Sequence, residues 1–546
     1  MDGLIMDYPL TIDTILRRAE TLFGGREIVS QRPDKSLHRY AYRDMVRRAR
    51  QLGVALSTLG VEPGDRVATF CWNHHQHLEA YFGVPCIAAV LHTLNIRLHP
   101  DDIAYIVNHA QDKIVLVDEV LMPLFEKVIP NINVDHIIVI SENETVEGDR
   151  LSYESLLSIA DPADFAPPAI DEKQAAAMCY TSGTTGRPKG AVYSHRAIVL
   201  HSMASNMADV LALREVDTVL PVVPMFHVNA WGLPFSSTLA GAKQVYPGPY
   251  LDPASLVSLM EREHVTFSAG VPTIWLGILQ HLDQHKGSID LSTLSRMAVG
   301  GQAAPAEMIR AYKDRHGIQI VHAWGMTETA PLGSVAQLPS DYVSASPEEQ
   351  MRFLSTQGRP VPMLEARISA GGEIVPWDGE SMGELEVRGS WVSSSYHNNP
   401  EGDVQFTADG WFRTGDIVSI DSLGYITIKD RSKDVIKSGG EWISSIALEN
   451  QLMAHPAVAE AVVIAVEHPK WLERPAAVVV LREGASASQD ELLDSLRPHF
   501  AKWWIPDTVL FVNEIPRTST GKFMKAPLRD RYRKVLVESG AVARDD

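Results

Sequence analysis

The sequence predicts an α/β protein with two domains, residues 1–432 and residues 433–546. The chain has 546 residues, more than a single hydrophobic core normally supports. Short β-rich runs alternate with longer helical patterns over most of the chain, and this alternation is typical of parallel sheets covered by helices. After Lys433 the pattern changes to that of a small α+β module.

Strand-like runs define the sheets of the N-terminal domain. They occupy residues 66–71, 114–117, 137–140, 219–223, 266–269 and 296–299. We expect Asn73 to cap the helix after the first run, with Gln76 three residues later. Residues 383–388 and 425–429 resemble antiparallel strands near the end of the domain.

The C-terminal module follows the charged segment 429–434. Residues 459–466 and 476–481 are strand-like. Ser488 and Glu491 have the spacing of a capping box, so a helix should begin there. The sequence contains neither internal repeats nor a low-complexity tract.

Composition and charge indicate an ordinary soluble globular protein, with 45% hydrophobic and 21% charged residues. The net charge is −19, from 68 acidic and 49 basic residues. This balance argues against nucleic acid or an anionic membrane as the main partner, since both favour basic surfaces.

Cysteine usage and the N-terminal sequence favour a cytoplasmic location. Cys71, Cys86 and Cys179 are too few and too scattered for a disulfide framework or a zinc site. The first residues carry acids where a signal peptide needs bases. There is no apolar run long enough to predict a transmembrane segment.

The glycine-rich segment 180–190 (YTSGTTGRPKG) is the most informative part of the chain. Glycines allow backbone N–H groups to line a concavity that attracts anions, and hydroxyls and an ammonium add donors. The spacing differs from the P-loop of NTPases. The segment therefore predicts a polyphosphate site of another kind, built from Thr181, Ser182, Gly183, Thr184, Thr185, Gly186 and Lys189.

Four further segments combine unusual chemistry. Residues 323–329 (AWGMTET) place an aromatic ring, a hydroxyl and an acid in a row, suited to base stacking, phosphate contact and metal binding. Residues 410–416 end in Asp416, an acid suited to a ribose diol. Residues 430–444 join basic residues to a glycine pair, and residues 516–522 end in Lys522 on a flexible turn.

Three histidines, His74, His75 and His77, suggest a metal site at first sight. Only His74 and His77 share a helical face, and no acid or cysteine is evident in the sequence to complete a ligand set. We therefore expect these side chains to cap and pack the start of a helix.

The order of these motifs resembles the adenylate-forming superfamily of acyl-CoA synthetases, luciferases and peptide-synthetase adenylation domains. Residues 224–231 (PMFHVNAW) and 438–444 (SGGEWIS) are most similar to bacterial medium- and long-chain fatty acyl-CoA synthetases. The resemblance implies a distorted β-barrel beside the parallel sheets and a mobile C-terminal domain that pivots at Lys433. It also implies that the protein binds ATP, Mg²⁺ and the co-substrate CoA. The substrate would be a small-molecule carboxylic acid, and the protein would be a homodimer.

The resemblance assigns the ATP site residue by residue. The loop up to Lys189 would wrap the β- and γ-phosphates, and Trp324, where relatives usually have tyrosine, would lie against adenine. Thr327 would contact the α-phosphate, and Asp416 would accept the ribose hydroxyls with help from Arg431. The remaining members of this set are Gly301, Gln302, Ala303, Gly325 and Met326.

The resemblance also assigns catalytic and metal roles. Glu328 and Thr184 would hold Mg²⁺. Lys522 would bridge the acyl carboxylate and the α-phosphate. His227 would act beside the carboxylate, together with Thr327.

Two further groups follow from the resemblance. The acyl pocket would consist of His227, Val228, Trp231, Gly300 and Gly301. The thioester step would use Lys433, Lys437, Ser438, Gly439, Gly440, Glu441 and Trp442.

The predicted activity is fatty acid–CoA ligation through an acyl-adenylate, with medium-chain acids favoured. Long-chain acids, a short thioether acid such as 3-methylthiopropionate and aryl acids remain as alternatives. An amino-acid-activating module is disfavoured because residues 222–236 contain no Asp or Glu to hold an ammonium group. A luciferase-like oxidase shares the mechanism, whereas a silent nucleotide-binding protein would not need Glu328, Asp416, Arg431 and Lys522 together.

Overall fold

The computed structural model describes residues 1, 3–141, 146, 148–181, 187–399, 404–432, 434–438, 441–517 and 523–538, with the backbone alone at 441 and 442. Contacts divide the chain into two compact units. Unit 1 comprises Met1–Ser355, Arg359–Glu365 and Arg388–Phe412. Unit 2 comprises Thr356–Gly358, Ala366–Val387 and Arg413–Asp546. The boundary between residues 432 and 433 stays a prediction, because the proposed hinge, Lys433, lies outside the described residues.

The strands are, in chain order, β1 (Glu27–Gln31), β2 (Leu37–Ala41), β3 (Arg66–Phe70), β4 (Val90–Thr93), β5 (Asp112–Asp118), β6 (His136–Ile140), β7 (Leu151–Ser152), β8 (Ala175–Tyr180), β9 (Gly190–Ser194), β10 (Thr218–Pro221), β11 (Lys243–Tyr246), β12 (Phe267–Gly270), β13 (Arg296–Val299), β14 (Gln319–Gly325), β15 (Leu332–Val335), β16 (Arg359–Pro360), β17 (Leu364–Ala370), β18 (Glu373–Ile374), β19 (Gly383–Gly389), β20 (Phe412–Ile420), β21 (Ile426–Arg431), β22 (Ile436–Ser438), β23 (Glu441–Ile443), β24 (Val458–His468), β25 (Leu472–Leu481) and β26 (Thr508–Phe511).

The helices are α1 (Ile12–Phe23), α2 (Tyr42–Thr58), α3 (His75–Gly83), α4 (Pro100–Ala110), α5 (Met122–Phe125), α6 (Tyr153–Ile159), α7 (His195–Ser205), α8 (Val228–Trp231), α9 (Leu233–Ala240), α10 (Pro253–Arg262), α11 (Pro272–Gln284), α12 (Ala306–His316), α13 (Pro347–Leu354), α14 (Ser445–Met453), α15 (Gln489–Leu496), α16 (Lys525–Tyr532) and α17 (Val535–Glu538). Within the described residues, we find no helix with the length and apolar character needed to cross a membrane.

Two mostly parallel sheets form the body of unit 1. One has the order β16-β15-β14-β13-β12-β10-β11-β1-β2, and the other has the order β7-β6-β5-β3-β4-β8-β9. Their central strands are buried on both faces, as in β5, which explains the near-continuous apolar runs in the sequence. Helices such as α10, α11 and α12 contribute the apolar side chains that cover the first sheet. The predicted α/β class with parallel sheets is confirmed.

The predicted distorted β-barrel is wrong for the part of the chain that the structure describes. Five strands instead form an open sheet with the order β18-β17-β19-β20-β21. Closing a barrel requires the first and last strands to pair along their length. Strand β18 has two residues, too few to pair along the six residues of β21.

The C-terminal sheet is buried on both faces. It has the order β23-β22-β25-β24, with β26 added beside β25. Along β24, Ala461 and Val463 join one apolar cluster with α14 and α15, while Val462 and Ile464 join a second cluster with α16 and α17. The alternation of side chains along a strand produces this division. The predicted small α+β module is confirmed.

Of the two predicted helix caps, that of α15 is confirmed and that of α3 is not. Ser488 accepts a hydrogen bond from the Glu491 N–H at 3.2 Å, so the predicted cap of α15 is confirmed. The predicted cap of α3 is wrong, because His74 and not Asn73 accepts the first free N–H, that of His77. The Asn73 side chain instead bonds the backbone of residues 221–225, between β10 and α8.

Candidate active site

The candidate residues of unit 1 gather at the carboxyl ends of neighbouring parallel strands. Residues 222–231 follow β10, Gly300 to Ala303 follow β13, and Trp324 and Gly325 end β14. Strand β12 lies between β10 and β13, and β14 pairs with β13 on the other side. Ligands of open α/β sheets bind in the crevice outside such strand ends. The fold therefore brings together residues predicted for the acyl pocket and for adenine, which are far apart in sequence.

The glycine-rich segment connects a β-hairpin. Strands β8 and β9 are antiparallel, and Tyr180 and Gly190 are their last facing pair. The Thr181 N–H donates to the Lys189 carbonyl at 2.9 Å, and the Lys189 N–H donates to Thr181 Oγ1 at 3.1 Å. The base of the loop is thus closed by two hydrogen bonds, while Ser182 to Gly186 lie outside the described residues.

Glu328 and Lys189 meet on the same side chain, Tyr396. The Tyr396 hydroxyl donates to Glu328 Oε1 at 2.5 Å, and Lys189 Nζ lies 5.0 Å from the centre of the Tyr396 ring. Lys189 Nζ also donates to Gln405 Oε1 at 3.4 Å. Burial, with a further contribution from the Glu328 carboxylate, raises the pKa of Tyr396. The hydroxyl therefore stays protonated and serves as a hydrogen-bond donor to the buried carboxylate.

The backbone around Glu328 is held by hydrogen bonds from both side chains and backbone. The Thr327 carbonyl accepts from the Tyr193 hydroxyl at 2.7 Å, and the Glu328 carbonyl accepts from the Ser393 N–H at 2.8 Å. The Met326 N–H donates to Thr329 Oγ1 at 3.0 Å. The turn that carries Thr327 and Glu328 is therefore fixed from both sides, which preorganises their side chains.

Trp324 is buried, with 6% of its surface exposed. Its ring lies on Gly333 of the neighbouring strand β15, where a Cβ atom would be 2.3 Å from a ring carbon. Gly325 is equally constrained, because a Cβ there would lie 1.9 Å from the Pro331 carbonyl oxygen. Glycines at both positions leave room for the indole and the adjacent turn, and the predicted adenine contact stays a prediction.

The residues predicted for the acyl pocket include a left-handed turn. Val228, Asn229, Ala230 and Trp231 have φ values from 46° to 57°. Each such residue is strained by about 1–2 kcal/mol, so surrounding contacts must stabilise the turn. One of these contacts is the Cys179 thiol, which donates to Asn229 Oδ1 at 3.1 Å.

The Trp231 ring lies against Gly300. A Cβ at Gly300 would be 3.1 Å from Cη2 of Trp231 and 3.1 Å from the Ala323 carbonyl oxygen. Gly301 has φ +80°, a conformation that favours glycine. Three of the predicted acyl-pocket residues are thus neighbours, and His227 immediately precedes the left-handed turn.

In unit 2, the predicted ribose-binding pair is brought together. Asp416 and Arg431 face each other on β20 and β21, and Arg431 Nε donates to Asp416 Oδ1 at 2.9 Å. Arg431 Nη1 also donates to the Thr414 carbonyl at 3.2 Å. Asp416 is buried while Arg431 is about half-exposed, so the arginine holds the carboxylate in a fixed orientation.

The residues predicted for the thioester step form a second hairpin in unit 2. Lys437 faces Trp442 and Ser438 faces Glu441 across β22 and β23. The Lys437 N–H donates to Glu473 Oε2 at 2.8 Å, and Ser438 Oγ accepts from Arg474 Nη1 at 3.3 Å. Gly439, Gly440, Lys433 and Lys522 lie outside the described residues, as do the side chains of Glu441 and Trp442.

Sequence reasoning missed an acid and a cysteine beside the histidine-rich helix. Asp118 ends β5 and Cys71 follows β3, so these strand ends place both next to His74. His74 Nε2 donates to Asp118 Oδ1 at 2.7 Å, and Asp118 Oδ2 accepts from the Trp72 N–H at 2.7 Å. Burial raises the pKa of the Cys71 thiol. The Cys71 thiol therefore stays protonated, and His74 and Asp118 are hydrogen-bonded to each other, which agrees with the expected capping and packing.

Tyr396 and Asn229 are further site residues that the sequence did not indicate. Tyr396 lies in a segment without a motif and meets Glu328 only through the fold. Asn229 lies inside the motif 224–231, but its role depends on the left-handed turn. Neither position carries a local signal that would have identified it.

Two family models match most of the chain. Residues 16–397 match the family described as AMP-binding enzyme, and residues 447–522 match the AMP-binding enzyme C-terminal domain.

Three curated relatives match over nearly the whole length. A long-chain-fatty-acid–CoA ligase from Thermus thermophilus is 49% identical, covering 97% of each chain. A 3-methylmercaptopropionyl-CoA ligase from Ruegeria lacuscaerulensis is 44% identical, covering 98% of this chain and 100% of the relative. A medium-chain-fatty-acid–CoA ligase from Ectopseudomonas oleovorans is 42% identical, covering 99% of each chain.

Solved structures share the fold. An anthranilate CoA ligase in complex with anthranoyl-AMP has a TM-score of 0.86 at 25% identity, covering 97% of this chain and 99% of that one. ATP-bound MatB from Rhodopseudomonas palustris has a TM-score of 0.83 at 26% identity, covering 97% of this chain and all of that one.

Proposed function

The chain belongs to the family of AMP-binding enzymes, and from this premise we propose that it is an ATP-dependent fatty acid–CoA ligase that favours medium-chain acids. Such an acid–thiol ligase works in two steps, through an acyl-adenylate. Relatives named as medium- and long-chain-fatty-acid–CoA ligases, similar over nearly the whole chain, support this class of substrate.

One observation in unit 1 carries the proposal. Lys189 of the glycine-rich hairpin and Glu328 of the turn after β14 converge on Tyr396. A polyphosphate needs cations near its oxygens, and a carboxylate nearby would hold a metal ion that offsets their negative charge. The convergence supports an ATP triphosphate site at which the hairpin and Glu328 act together.

In the first step, a carboxylate oxygen of the acid attacks the α-phosphorus of ATP. The bond to the bridging oxygen breaks, and pyrophosphate leaves with the electron pair. Lys522 bridges the attacking carboxylate and the α-phosphate, Thr327 contacts the α-phosphate, and Lys189 neutralises charge on the departing pyrophosphate. Catalysis of this kind is mostly positioning and electrostatic stabilisation.

The residues around Glu328 fit a magnesium ion. Oε1 accepts from Tyr396, and Oε2 has no hydrogen-bond partner among the described residues, so one carboxylate oxygen is available. Magnesium prefers oxygen ligands and binds through one or two carboxylates together with substrate phosphates. Glu328, with Thr184, would hold it, and the ion would offset negative charge on the phosphates.

In the second step, the CoA sulfur attacks the acyl carbon of the adenylate. The bond to the phosphate oxygen breaks, AMP leaves, and the thiol proton passes to solvent. The hairpin of β22 and β23, with Gly439 and Gly440, admits the pantetheine arm after the C-terminal domain, residues 433–546, pivots at Lys433. Two functional poses with one rotation between them are a common solution for sequential half-reactions.

The acid binds beside His227 and Val228, in a pocket whose depth Trp231 and Gly300 limit. The absence of a side chain at Gly300 leaves the Trp231 ring directly against the backbone. The Ruegeria relative supports a short thioether acid, 3-methylmercaptopropionate, as a second candidate substrate. The order of preference among straight-chain, thioether and aryl acids depends on this pocket.

Replacing Gly300 by valine is expected to shift the preference towards shorter acids. The new side chain cannot fit beside Trp231 and the Ala323 carbonyl, so the alkyl chain loses space. Each buried CH₂ contributes about 0.8 kcal/mol, so losing two to three positions lowers kcat/KM for long acids by about 10- to 100-fold. Steady-state kcat/KM across chain lengths measures the shift, with butyrate as the internal control. Equal loss for butyrate and dodecanoate would contradict the placement of Gly300 in the pocket.

The enzyme is further proposed to be a cytoplasmic homodimer. The low cysteine content supports a reducing compartment, and the family resemblance supports the dimer. Sedimentation equilibrium of the purified chain tests the oligomeric state.

The proposed function is tested by CoA-dependent AMP release with ATP and Mg²⁺. Straight-chain acids from propionate to palmitate, 3-methylthiopropionate and benzoate are compared. A maximum at medium-chain acids is expected. A maximum at palmitate or 3-methylthiopropionate would change the preferred acid but keep the CoA-ligase reaction. Activity on benzoate alone would overturn the proposal of a fatty acid–CoA ligase.

A further inference from the structure

A buried chain of polar contacts in unit 2 runs through Lys525. Lys525 Nζ lies 2.6 Å from Glu449 Oε1 and also donates to Ser445 Oγ. The Ser445 N–H donates to Asp430 Oδ2 at 2.8 Å, and the Val463 N–H donates to Glu449 Oε1 at 2.7 Å. One lysine at the start of α16 is thereby tied to α14, β24 and the end of β21.

The surroundings of Lys525 keep its charge. The side chains of Lys525 and Glu449 are 12% and 11% exposed. Burial lowers the pKa of Lys525, but the carboxylates of Glu449 and Asp430 outweigh this effect and raise it above the ordinary value. The ammonium group is therefore retained at neutral pH and serves as a permanent donor to Glu449 and Ser445.

Lys525 lies three residues after Lys522 in the sequence. Arg517 and Phe523, on either side of Lys522 in the sequence, form a β-bridge, and the Met524 N–H donates to the Pro516 carbonyl at 2.8 Å. These contacts join the two ends of the segment that contains Lys522. Lys525 directly follows this closure and anchors the backbone to α14.

Stabilisation of the fold alone does not explain why an ion pair of Lys525 and Glu449 is buried here. A buried ion pair usually contributes no more stability than apolar side chains of the same volume. The first turn of α16 already packs through Leu528, which belongs to an apolar cluster with β24 and β25. What the ion pair adds is a fixed orientation for the start of α16, because a bonded ammonium has fewer arrangements than an apolar contact.

We propose that Lys525 is a positioning residue for the first half-reaction, holding the backbone that follows Lys522 against α14 through Glu449 and Ser445. The inference rests on the proposed function, since it assigns Lys522 to acyl-AMP formation. Lys525 itself touches neither ATP nor the acid, and acts only through the placement of Lys522.

The test separates the two half-reactions in purified full-length variants. Acyl-AMP formation is followed as pyrophosphate release in single turnovers, and thioester formation is followed from supplied acyl-AMP and CoA. Lys525→Met is expected to slow acyl-AMP formation by about 10- to 100-fold, the usual effect of misplacing a catalytic group, and to slow the second step less than about threefold. Lys525→Arg, which keeps the charge, is expected to recover most of the first step.

Two further variants keep the proposal falsifiable if Lys525→Met folds poorly. Lys525→Met combined with Glu449→Gln removes both charges, retains an acceptor for the Val463 N–H and should fold, yet it should still be slow in acyl-AMP formation. Arg367→Met removes a partner of the buried Glu386 elsewhere in unit 2, and serves as the control for general destabilisation. Equal loss of both half-reactions, or full acyl-AMP formation by the double variant, would overturn the positioning role. Absence of acyl-AMP formation by the wild-type enzyme would instead refute the proposed function, and the positioning role with it.

Discussion

Replacement of Lys522 by alanine is expected to lower the rate of acyl-AMP formation by about 10²–10³-fold, equivalent to roughly 3–4 kcal/mol, the usual effect of removing one preorganised charge contact. Lys522 is proposed to stabilise negative charge while the bond between the acyl carboxylate and the α-phosphorus forms, and alanine cannot do so. The same variant should convert supplied acyl-AMP and CoA to acyl-CoA at close to the wild-type rate. Single-turnover assays of each half-reaction measure both effects.

Lys534→Ala supplies the matched control, because Lys534 is an exposed lysine of the same module. It is expected to behave as wild type in both steps. If Lys522→Ala lost both half-reactions equally, the lysine would have a structural role or a role common to both steps, and its assignment to adenylation would be wrong.

Replacement of Glu328 by glutamine is expected to slow acyl-AMP formation by about 10²-fold and to raise the Mg²⁺ concentration needed for half-maximal rate. Glutamine keeps an oxygen that accepts from the Tyr396 hydroxyl, so the fold of the turn is preserved. What is lost is the negative charge that would hold the metal ion. Rates measured over a Mg²⁺ titration at saturating ATP give both quantities.

Tyr396→Phe isolates the hydrogen bond from the charge. It removes a donor to a buried carboxylate, a contact of about 1.5–3 kcal/mol, so a loss of about 10- to 100-fold is expected. The Mg²⁺ requirement should change less than in Glu328→Gln, because the carboxylate remains. A wild-type Mg²⁺ dependence in Glu328→Gln would contradict the metal role of Glu328.

The fold could be predicted where local patterns determine structure. The run at residues 296–299 is strand β13 as predicted, and the spacing of Ser488 and Glu491 marked the start of α15. Parallel sheets follow from alternating strands and helices because crossover connections need the intervening helix. The predicted barrel failed, since closure depends on pairing between distant strands and β18 is too short to provide it.

The candidate site likewise contains residues that sequence motifs identify and contacts that depend on the fold. Asp416 and Arg431 each belong to a motif, and their pairing across β20 and β21 agrees with the predicted partnership. The meeting of Lys189, Glu328 and Tyr396 depends on contacts between segments far apart in sequence. Cys71 and Asp118 are likewise far apart in the sequence, and it is the adjacent strands β3 and β5 that place both beside His74. Motifs report residue types at fixed spacing, and they carry no information on which distant segment lies opposite.

In the proposed mechanism, the acid is activated as an acyl-adenylate before CoA takes part. Isotope exchange between labelled pyrophosphate and ATP tests this directly, in the presence of Mg²⁺ and decanoate and in the absence of CoA. Rapid exchange is expected, which requires the acid and is lost in Lys522→Ala. No exchange without CoA, together with release of ADP and phosphate in place of AMP and pyrophosphate, would contradict this mechanism.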